Sequence, residues 1–200
     1  ASRRGGRQRA LNLSVQDEAS IGRQLLDPVL WGEHYLRNRD GSPRQYWPHQ
    51  AEDLRCDERN VIHLDGRDVG KTVNICGDLL HYAFTTRGGQ GLVAAPHQGH
   101  LDTIIEEVEF QLQANEDIEA SVAVNSQGRP KIVRKPYFRI EFRNGAVIYF
   151  RPAGPYGDAF RSLHVERVWV DEGAWLSERA WRALRQCLEA GGVLRIYSTP

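Results

Sequence analysis

The sequence predicts an α/β fold, with a mainly parallel central sheet flanked by helices. Apolar runs typical of strands alternate along the chain with longer amphipathic stretches typical of helices. This alternation favours parallel strands joined by right-handed helical crossovers. One strand-like run leads into a glycine-rich loop at 65–70, and a later one ends in Asp171 and Glu172. Buried parallel strands deliver such polar ends to the carboxyl edge of a sheet.

Length and composition limit the possible classes of protein. Two hundred residues, with 26 basic and 26 acidic side chains, suit one ordinary globular domain. No stretch approaches about eighteen consecutive apolar residues and no apolar signal core is present, so we expect a soluble protein that is not secreted. The three cysteines are far apart, which argues against a disulfide framework and against a zinc site.

Residues 1–44 are predicted to form a basic arm and an N-terminal helical subdomain, and residues 45–200 a second domain. The arm, at 1–10, carries four arginines among Gly and Ser, and it either touches nucleic acid or is a solvated tail. A helical pattern covers 14–26. Asp27 and Pro28 are typical of the cap and first-turn proline of another helix, which reaches about residue 38.

The stretch 61–72, V-I-H-L-D-G-R-D-V-G-K-T, has the pattern of a phosphate-binding loop. Residues 61–64 are predicted to form a short buried strand, and Gly66 and Gly70 permit a tight loop whose N–H groups point into one concavity. Lys71 and Thr72 then begin a helix that reaches about residue 86. In a P-loop, this lysine contacts the β- and γ-phosphates and the hydroxyl binds Mg²⁺. Asp65 replaces the usual first glycine of the pattern.

An aromatic segment, Y-W-P-H-Q at 46–50, precedes the loop and is followed by a short helix to about residue 57. A glutamine amide both donates to and accepts from the edge of adenine, and an aromatic ring stacks on its face. Tyr46 and Gln50 are therefore candidate nucleotide-binding residues. The alternative is that the aromatic residues here only pack against the core.

The middle of the chain is predicted to contain a strand at 91–95 and a helix at 102–112. Residues 102–119 hold seven acidic and no basic side chains, whereas residues 129–151 hold seven basic side chains and one acidic. These are either two docking faces or two oppositely charged solvated surfaces. Within the basic segment, R-N-G at 143–145 predicts an antiparallel hairpin of 137–142 with 146–150.

Two adjacent carboxylates end the apolar run at 168–172. Asp171 is a candidate ligand of the Mg²⁺ that bridges β- and γ-phosphate oxygens, and Glu172 is a candidate to orient and polarise the attacking water. Neighbouring side chains alternate along a strand, but the chain turns at its end, where both can face one site. The last strand, at 193–197, ends in Ser198 and Thr199, whose hydroxyls are expected to bind the γ-phosphate or Glu172.

The sequence resembles the ATPase domain of the large terminase subunit of tailed bacteriophages. The resemblance lies in four motifs and their order along the chain: Y-W-P-H-Q, G-R-D-V-G-K-T, V-W-V-D-E-G-A-W and Y-S-T-P. The resemblance covers about residues 46–200 and implies a P-loop NTPase of the additional-strand catalytic-glutamate type. That family replaces the first glycine of the loop and places an arginine after the small residue, as Gly66 and Arg67 do here. The roles implied are adenine binding by Gln50, phosphate and Mg²⁺ binding by Lys71 and Thr72, Mg²⁺ binding by Asp171, catalysis by Glu172, and coupling by Ser198 and Thr199.

The resemblance also identifies candidate arginines. The family places one shortly before the acidic pair, and Arg161 in G-D-A-F-R-S fits that position as a finger that reaches the nucleotide of a neighbouring subunit. A guanidinium suits the spread negative charge of the phosphoryl transition state. The alternative for Arg161 is a surface arginine or a partner of Asp158. Arg67 is a candidate for the same role in cis, and Asp68 is expected to turn away from the phosphates toward a cationic partner.

The function implied by the resemblance is Mg²⁺-dependent ATP hydrolysis that powers translocation of viral double-stranded DNA into the procapsid, in the cytoplasm of the infected bacterium. The implied partners are double-stranded DNA, the portal protein, the small terminase subunit and further copies of the chain in a ring, with a monomer expected in isolation and no membrane contact. DNA contacts are expected to be made mainly to phosphates, and the basic hairpin at 129–151 is the first candidate surface.

No nuclease activity is expected, because the chain stops at the coupling motif and no carboxylate cluster for DNA cleavage can be assigned. The sequence is therefore expected to represent an excised motor domain. Two alternatives share some of these motifs. One is a helicase-like translocase on DNA or RNA, and the other is a non-hydrolysing, nucleotide-dependent docking module, against which Glu172 argues.

Overall fold

The computed structural model describes residue 22 and residues 25–200. The predicted basic arm at 1–10 and most of the predicted helix at 14–26 lie outside the described residues. Within the described part, no helix is both long enough and apolar enough to cross a membrane, and Cys56, Cys76 and Cys187 are free thiols.

A seven-stranded sheet forms the centre of the described chain, in the spatial order β1-β7-β6-β2-β5-β4-β3. Neighbours from β1 through β5 in this order run parallel, and β4 and β3 continue the sheet antiparallel. The strands are β1 Asn60–Leu64, β2 Gln90–Ala95, β3 Ile132–Val133, β4 Arg139–Glu141, β5 Val147–Pro152, β6 Val165–Asp171 and β7 Leu188–Ser198. The predicted α/β fold with a mainly parallel sheet is confirmed.

Helices cover both faces of this sheet. They are α1 Pro28–Tyr35, α2 Pro48–Arg55, α3 Lys71–Thr85, α4 Gln98–Ala114, α5 Glu116–Ser121 and α6 Glu178–Cys187, with short 3₁₀ turns at Asp158–Phe160 and Gly173–Trp175. Asp27 caps α1 as predicted, since its Oδ1 accepts from the N–H groups of Val29 and Leu30 at 2.9 and 3.2 Å. The sequence patterns did not predict α5, α6 or β3. Helix α5 and strand β3 are very short, and the buried face of α6 includes the small side chains of Ala180 and Ala183.

Two apolar clusters hold the layers together. The first lies between the sheet and α1, α3 and α4, and its fully buried members include Trp31, Ile75, Leu79, Ile104 and Phe150. The second lies between the sheet and α6, and it includes Leu92, Phe160, Val168, Val170 and Leu184. Because α1 contributes Trp31 to the first cluster, it packs directly on the larger domain. The division of the chain near residue 44 stays a prediction.

Strand β1 lies at one edge of the sheet and pairs only with β7. Its outward side chains Ile62 and Leu64 are 65% and 67% exposed. The prediction of a strand at 61–64 is confirmed, but the prediction that it is buried is wrong. An apolar run does not reveal the position of a strand in the sheet order, and an edge strand retains one open side.

The antiparallel hairpin is confirmed, with β4 and β5 paired in the register Arg139 to Tyr149. Gly145, with φ of +88°, supplies the left-handed turn residue. Asn144 donates from Nδ2 to the Ala83 carbonyl at 2.8 Å, and its Oδ1 accepts from the N–H of Ala146 at 3.0 Å. The turn is thereby fastened to the end of α3.

A buried ion pair fastens α3 to the strand beside it. Both carboxylate oxygens of Asp78 accept from Nη2 of Arg167, at 2.9 and 2.7 Å, and Oδ2 also accepts from the indole N–H of Trp169 at 2.7 Å. Asp78 is buried on α3, while Arg167 and Trp169 lie on β6. The helix that follows the loop and the strand that carries the carboxylate pair are therefore linked by charge as well as by packing.

Candidate functional site

The loop at 65–70 connects the end of β1 to the start of α3. Its last residue, Gly70, has φ of +85° and forms the N-cap of α3. A Cβ at this position would lie 2.1 Å from Nε2 of Gln50. The backbone conformation therefore favours glycine, and any added Cβ would also displace the amide of Gln50.

The other left-handed residue of the loop is Asp68, with φ of +62°. Gly66 is not left-handed, and a Cβ there would meet only Cγ1 of Val69, at 4.0 Å. The tight turn assigned to Gly66 is therefore made by Asp68, because aspartate tolerates this conformation better than most residues do. The expectation that Asp68 turns away toward a cation stays a prediction. Asp68 lines the same cavity as Lys71, and no cation among the described residues lies within ion-pair distance of it.

Gln50, on α2, is hydrogen-bonded to the loop. Its Oε1 accepts from the backbone N–H of Trp47 at 2.9 Å, and its Nε2 donates to the Val69 carbonyl at 3.3 Å. The side chain is buried. Both ends of the amide are thus engaged inside the protein, and its predicted contact with adenine stays a prediction.

Tyr46 lies elsewhere. Its hydroxyl is wedged between α1 and α3, where a Cβ on Gly32 or Gly77 would approach it to 2.3 or 2.6 Å. Burial raises the pKa of this phenol. Tyr46 does not line the cavities that border the loop. Gln50 does not line them either, but it contacts the loop through the Val69 carbonyl, whereas Tyr46 packs against Gly32 and Gly77.

The two carboxylates stand at the end of β6. Asp171 is the last residue of the strand, and Glu172 turns the chain with φ of +51° and ψ of +47°, an uncommon conformation for a residue with a Cβ. As a result, both line one cavity of about 860 Å³ together with Lys71 and Thr72. The expected convergence at the strand end is present.

The two neighbouring acids have different electrostatic environments. Burial, and then the negative charge of Glu172, raise the pKa of Asp171 to about 6. Burial also acts to raise the pKa of Glu172, but hydrogen bonds from Thr199 and the charge of Lys71 outweigh it, and the pKa of Glu172 is lowered. Glu172 is therefore the carboxylate that this environment keeps ionised, while Asp171 is one that a nearby cation would stabilise.

A hydrogen-bonded chain crosses the cavity from the loop to the carboxylates. Lys71 donates from Nζ to the Gly66 carbonyl and to Oγ1 of Thr199, both at 3.0 Å. Thr199 donates from its hydroxyl to Oε1 of Glu172 at 2.8 Å and from its backbone N–H to Oε2 at 3.1 Å. Next to it, Oγ of Ser198 accepts from the N–H of Ala174 at 3.2 Å. The end of β7 is thereby joined to both the loop lysine and Glu172.

Three further residues of the cavity were not identified from the sequence. His97, His100 and Thr103 line it from the start of α4, directly after β2. Nδ1 of His100 is buried without a hydrogen-bond partner among the described residues. A signal was present, since β2 ends at the same edge as β6 and the segment P-H-Q-G-H follows it at 96–100.

The two candidate arginines occupy different positions. Arg67 is exposed on the loop and lines the cavity. Arg161 does not line it. Its side chain is 68% exposed and lies 3.2 Å from Oδ1 of Asp158. The structure therefore brings Arg67 to the site of its own chain. It leaves Arg161 outside that site and paired with Asp158, which was the alternative interpretation of this arginine.

The oxygen atoms of the cavity suit a hard cation that also binds a polyphosphate. Thr72 and Asp171 both line it, and a hydroxyl with a single carboxylate is the donor set that Mg²⁺ uses when phosphates and water complete its shell. Among the described residues, no group of three or more His, Cys, Asp or Glu side chains is arranged to hold a metal ion. A metal site made of protein ligands alone is therefore not seen in this part of the chain.

A comparison with protein families matches residues 62–200 to the N-terminal family of terminase large subunits of the T4-like virus type. No curated protein matches the sequence.

Solved structures with the same fold are similar over most of this chain. They include the large terminase of bacteriophage HK97, with a TM-score of 0.73 and 14% identity over 88% of this chain. The large terminase of a thermophilic bacteriophage in complex with ADP has a TM-score of 0.53 and 18% identity over 88% of this chain. The large terminase ATPase domain of Thermus phage P74-26 has a TM-score of 0.51 and 21% identity over 82% of this chain. The matches span 37%, 38% and 70% of those chains, and at such identities they show the fold alone.

Gly70→Ala is expected to destabilise the protein by at least about 1 kcal/mol, because alanine is strained at a positive φ and its Cβ collides with Gln50. The free energy of unfolding in urea measures this. Gly99→Ala is the matched control, since Gly99 lies in α4 with nothing within 4 Å of an added Cβ. Equal stabilities of the two variants would show that the loop does not need glycine at this position.

Proposed function

Because the chain belongs to the N-terminal family of T4-like terminase large subunits, we propose that it is a Mg²⁺-dependent ATPase that powers the movement of viral double-stranded DNA into a procapsid. One observation carries this proposal. A glycine-capped loop, its lysine and threonine, and two carboxylates from a separate strand all border one cavity. The sequence separates these groups by about a hundred residues, and the sheet brings them together.

The loop binds the phosphates of ATP. The backbone N–H groups at the start of α3 and the ammonium group of Lys71 supply positive charge at the phosphates. Lys71 already contacts the loop carbonyls and Thr199 on either side of the cavity. It therefore exchanges these neutral acceptors for phosphate oxygens without moving far.

Glu172 orients and polarises the attacking water. Its carboxylate is held at both oxygens by Thr199, which fixes its direction, and its lowered pKa keeps it ionised at neutral pH. A carboxylate in this state accepts a hydrogen bond from water and increases its nucleophilicity. Arg67, on the exposed loop, supplies a guanidinium for the negative charge that spreads over the transferred phosphoryl group.

Thr72 and Asp171 would hold Mg²⁺, which would supply positive charge at the phosphates. The raised pKa of Asp171 supports this assignment, since a carboxylate that is destabilised by burial and by a like charge gains from a cation.

Thr199 reports the state of the nucleotide. Its hydroxyl lies between Lys71 and Glu172, so a change at either group alters its hydrogen bonds. Thr199 directly follows β7, and that strand lies between β1 and β6 in the sheet. Ser198 and Thr199 thus have the position required to transmit hydrolysis to the rest of the domain.

Arg161 acts on the nucleotide of a neighbouring copy in a ring. Its exposure, and its absence from the cavity of its own chain, support a role between subunits. The other partners proposed are the portal protein and the small terminase subunit, in the cytoplasm of the infected bacterium.

The DNA contacts are proposed to come from the exposed cations of the basic segment at 129–151. Three of its cations form ion pairs within the chain. Lys131 and Arg139 pair with Glu141, and Arg134 pairs with Glu109. Arg129 and Lys135 are exposed, and no carboxylate among the described residues lies within ion-pair distance of either. Arg143 is also exposed, but it donates from Nε to the Val122 carbonyl at 3.2 Å. Arg129 and Lys135 are therefore the first candidates to bind DNA phosphates.

Glu172→Gln is expected to lower kcat for ATP by about 100-fold or more while ATP still binds, because the amide keeps the shape of the side chain but loses the charge. Magnesium-dependent phosphate release and the binding of a non-hydrolysable ATP analogue measure the two effects. Glu178→Gln is the control, since this carboxylate lies on α6 and pairs only with Arg182. A wild-type chain that binds the analogue but releases no phosphate at high protein concentration would instead identify a docking module.

Chains that carry Arg161→Ala, mixed with chains that carry Glu172→Gln, are expected to regain part of the turnover that each variant lacks alone. In a mixed ring, some sites combine an intact Glu172 with an intact arginine from the neighbour. The control is the same mixing experiment with Arg179→Ala in place of Arg161→Ala, because it also removes the charge of an exposed arginine. If a demonstrated mixed assembly shows no recovery, Arg161 does not act between subunits.

Arg129→Ala and Lys135→Ala are each expected to weaken DNA binding similarly for all sequences and to reduce the slope of log K against log salt by about 1. Fluorescence anisotropy with a DNA duplex at several salt concentrations measures the slope. Arg182→Ala is the control, because this cation lies on the exposed side of α6. Unchanged slopes for both variants would place the DNA on another surface.

A further inference from the structure

A buried carboxylate below the loop contacts three other structural elements. Asp53, on α2, is 8% exposed. Its Oδ2 accepts from Nδ2 of Asn74 at 2.8 Å and from the hydroxyl of Tyr197 at 2.9 Å. Nε2 of His63 lies 2.6 Å from its Oδ1. These three partners lie on α3, β7 and β1, so one side chain joins four elements that approach the candidate ATP site.

Each partner of Asp53 is close in sequence to a residue of that site. Asn74 lies in the first turn of α3, where Lys71 and Thr72 begin the helix. His63 lies near the end of β1, just before the loop. Tyr197 is two residues before Thr199. Asp53 makes no hydrogen bond to Lys71 or Glu172, and it does not line the cavity of the two carboxylates. It does line a second cavity, on the other side of the loop, which Lys71 and Gly70 also border.

The Tyr197 contact is the most constrained of the three. Tyr197 is 2% exposed, and its ring stacks on that of His63, with centroids 4.8 Å apart and planes at 14°. The stack and the hydroxyl bond to Asp53 fix the end of β7 in two ways. Burial acts to raise the pKa of Asp53, but the close approach of His63 and the hydrogen bonds from Asn74 and Tyr197 outweigh burial and the pKa is lowered, so the anchor is charged.

We propose that Asp53 is a positioning residue for ATP hydrolysis, which holds the end of β7 through Tyr197 so that Thr199 stays between Lys71 and Glu172. The inference rests on the proposed ATPase function. It adds a buried determinant of catalytic geometry that lies outside the cavity of the two carboxylates. The bond that matters is the one from the Tyr197 hydroxyl to Oδ2 of Asp53, since it is the direct link between Asp53 and the strand that ends at Ser198.

Tyr197→Phe tests this, because it removes the hydroxyl and keeps the stacked ring. We expect kcat to fall by about three- to tenfold, the equivalent of one hydrogen bond, and affinity for a non-hydrolysable ATP analogue to change by less than about twofold. A variant that only weakened folding would not separate kcat from binding in this way. In the double variant Tyr197→Phe with Thr199→Val, kcat should equal that of Thr199→Val alone, since both changes act through one hydroxyl.

Tyr82→Phe is the matched control. Its hydroxyl is also bonded to a carboxylate, Oε2 of Glu166 at 2.8 Å, but it lies on α3 away from the cavity. This variant should leave kcat unchanged. Additive losses in the Tyr197–Thr199 double variant, or a Tyr197→Phe enzyme with wild-type kcat, would overturn the inference.

Amide hydrogen exchange at Thr199, measured by NMR, tests the inference without hydrolysis. The Thr199 N–H donates to Glu172, so a displaced strand end should expose it and speed its exchange by about tenfold in Tyr197→Phe and not in Tyr82→Phe. Unchanged exchange would overturn the positioning role even if kcat fell. If the wild-type chain does not turn over ATP, the proposed function fails, and the exchange comparison alone decides whether Asp53 positions Thr199.

Discussion

Hydrogen bonding between parallel strands is the constraint on which the site depends. Strands β1, β7, β6 and β2 are adjacent and run in the same direction, so their carboxyl ends share one edge. The register places Leu64 beside Ser198 and Asp171 beside Tyr197. The loop, the carboxylates and the strand end that carries Thr199 therefore meet at one level. The distance from Lys71 to Glu172 is set by this ladder, with Thr199 filling the space between them.

The site is also where local conformations and charges are least favourable. Asp68 and Glu172 both have a left-handed backbone, which is uncommon for residues with a Cβ. Asp171 is buried beside a second carboxylate, and its pKa rises accordingly. A backbone conformation of this kind costs of order 1–3 kcal/mol and persists only where the surroundings determine it. The two apolar clusters on either side of the sheet provide that support. Apolar packing on both faces of the sheet thus stabilises the domain, while Asp68 and Glu172 hold unfavourable backbone conformations at the proposed catalytic site.

The sequence allowed prediction of features that depend on local pattern. The N-cap Asp27, the hairpin at Asn144 and Gly145, and the strand that delivers Asp171 each need only neighbouring residues to be identified. Features that depend on tertiary packing were missed or misassigned. Tyr46 lies against Gly32 and Gly77 because α1 crosses α3 at small residues, and nothing near Tyr46 in the sequence reveals that crossing. The exposure of β1 depends on the strand order. The choice of Asp68 over Gly66 as the left-handed residue depends on how the whole loop closes.

The buried pair of Asp78 with Arg167 has a mechanical consequence. Removing one partner of a fully buried ion pair costs about 3–5 kcal/mol, and this pair, whose arginine side chain is 19% exposed, is expected to contribute less. The helix that starts at Lys71 and the strand that ends at Asp171 are therefore held together by this pair as well as by apolar packing. In the proposed ATPase, a change at the phosphates would therefore move α3 and β6 together. Asp78 does not line the cavity, yet it determines how firmly the helix after the loop is joined to the strand that carries the two carboxylates.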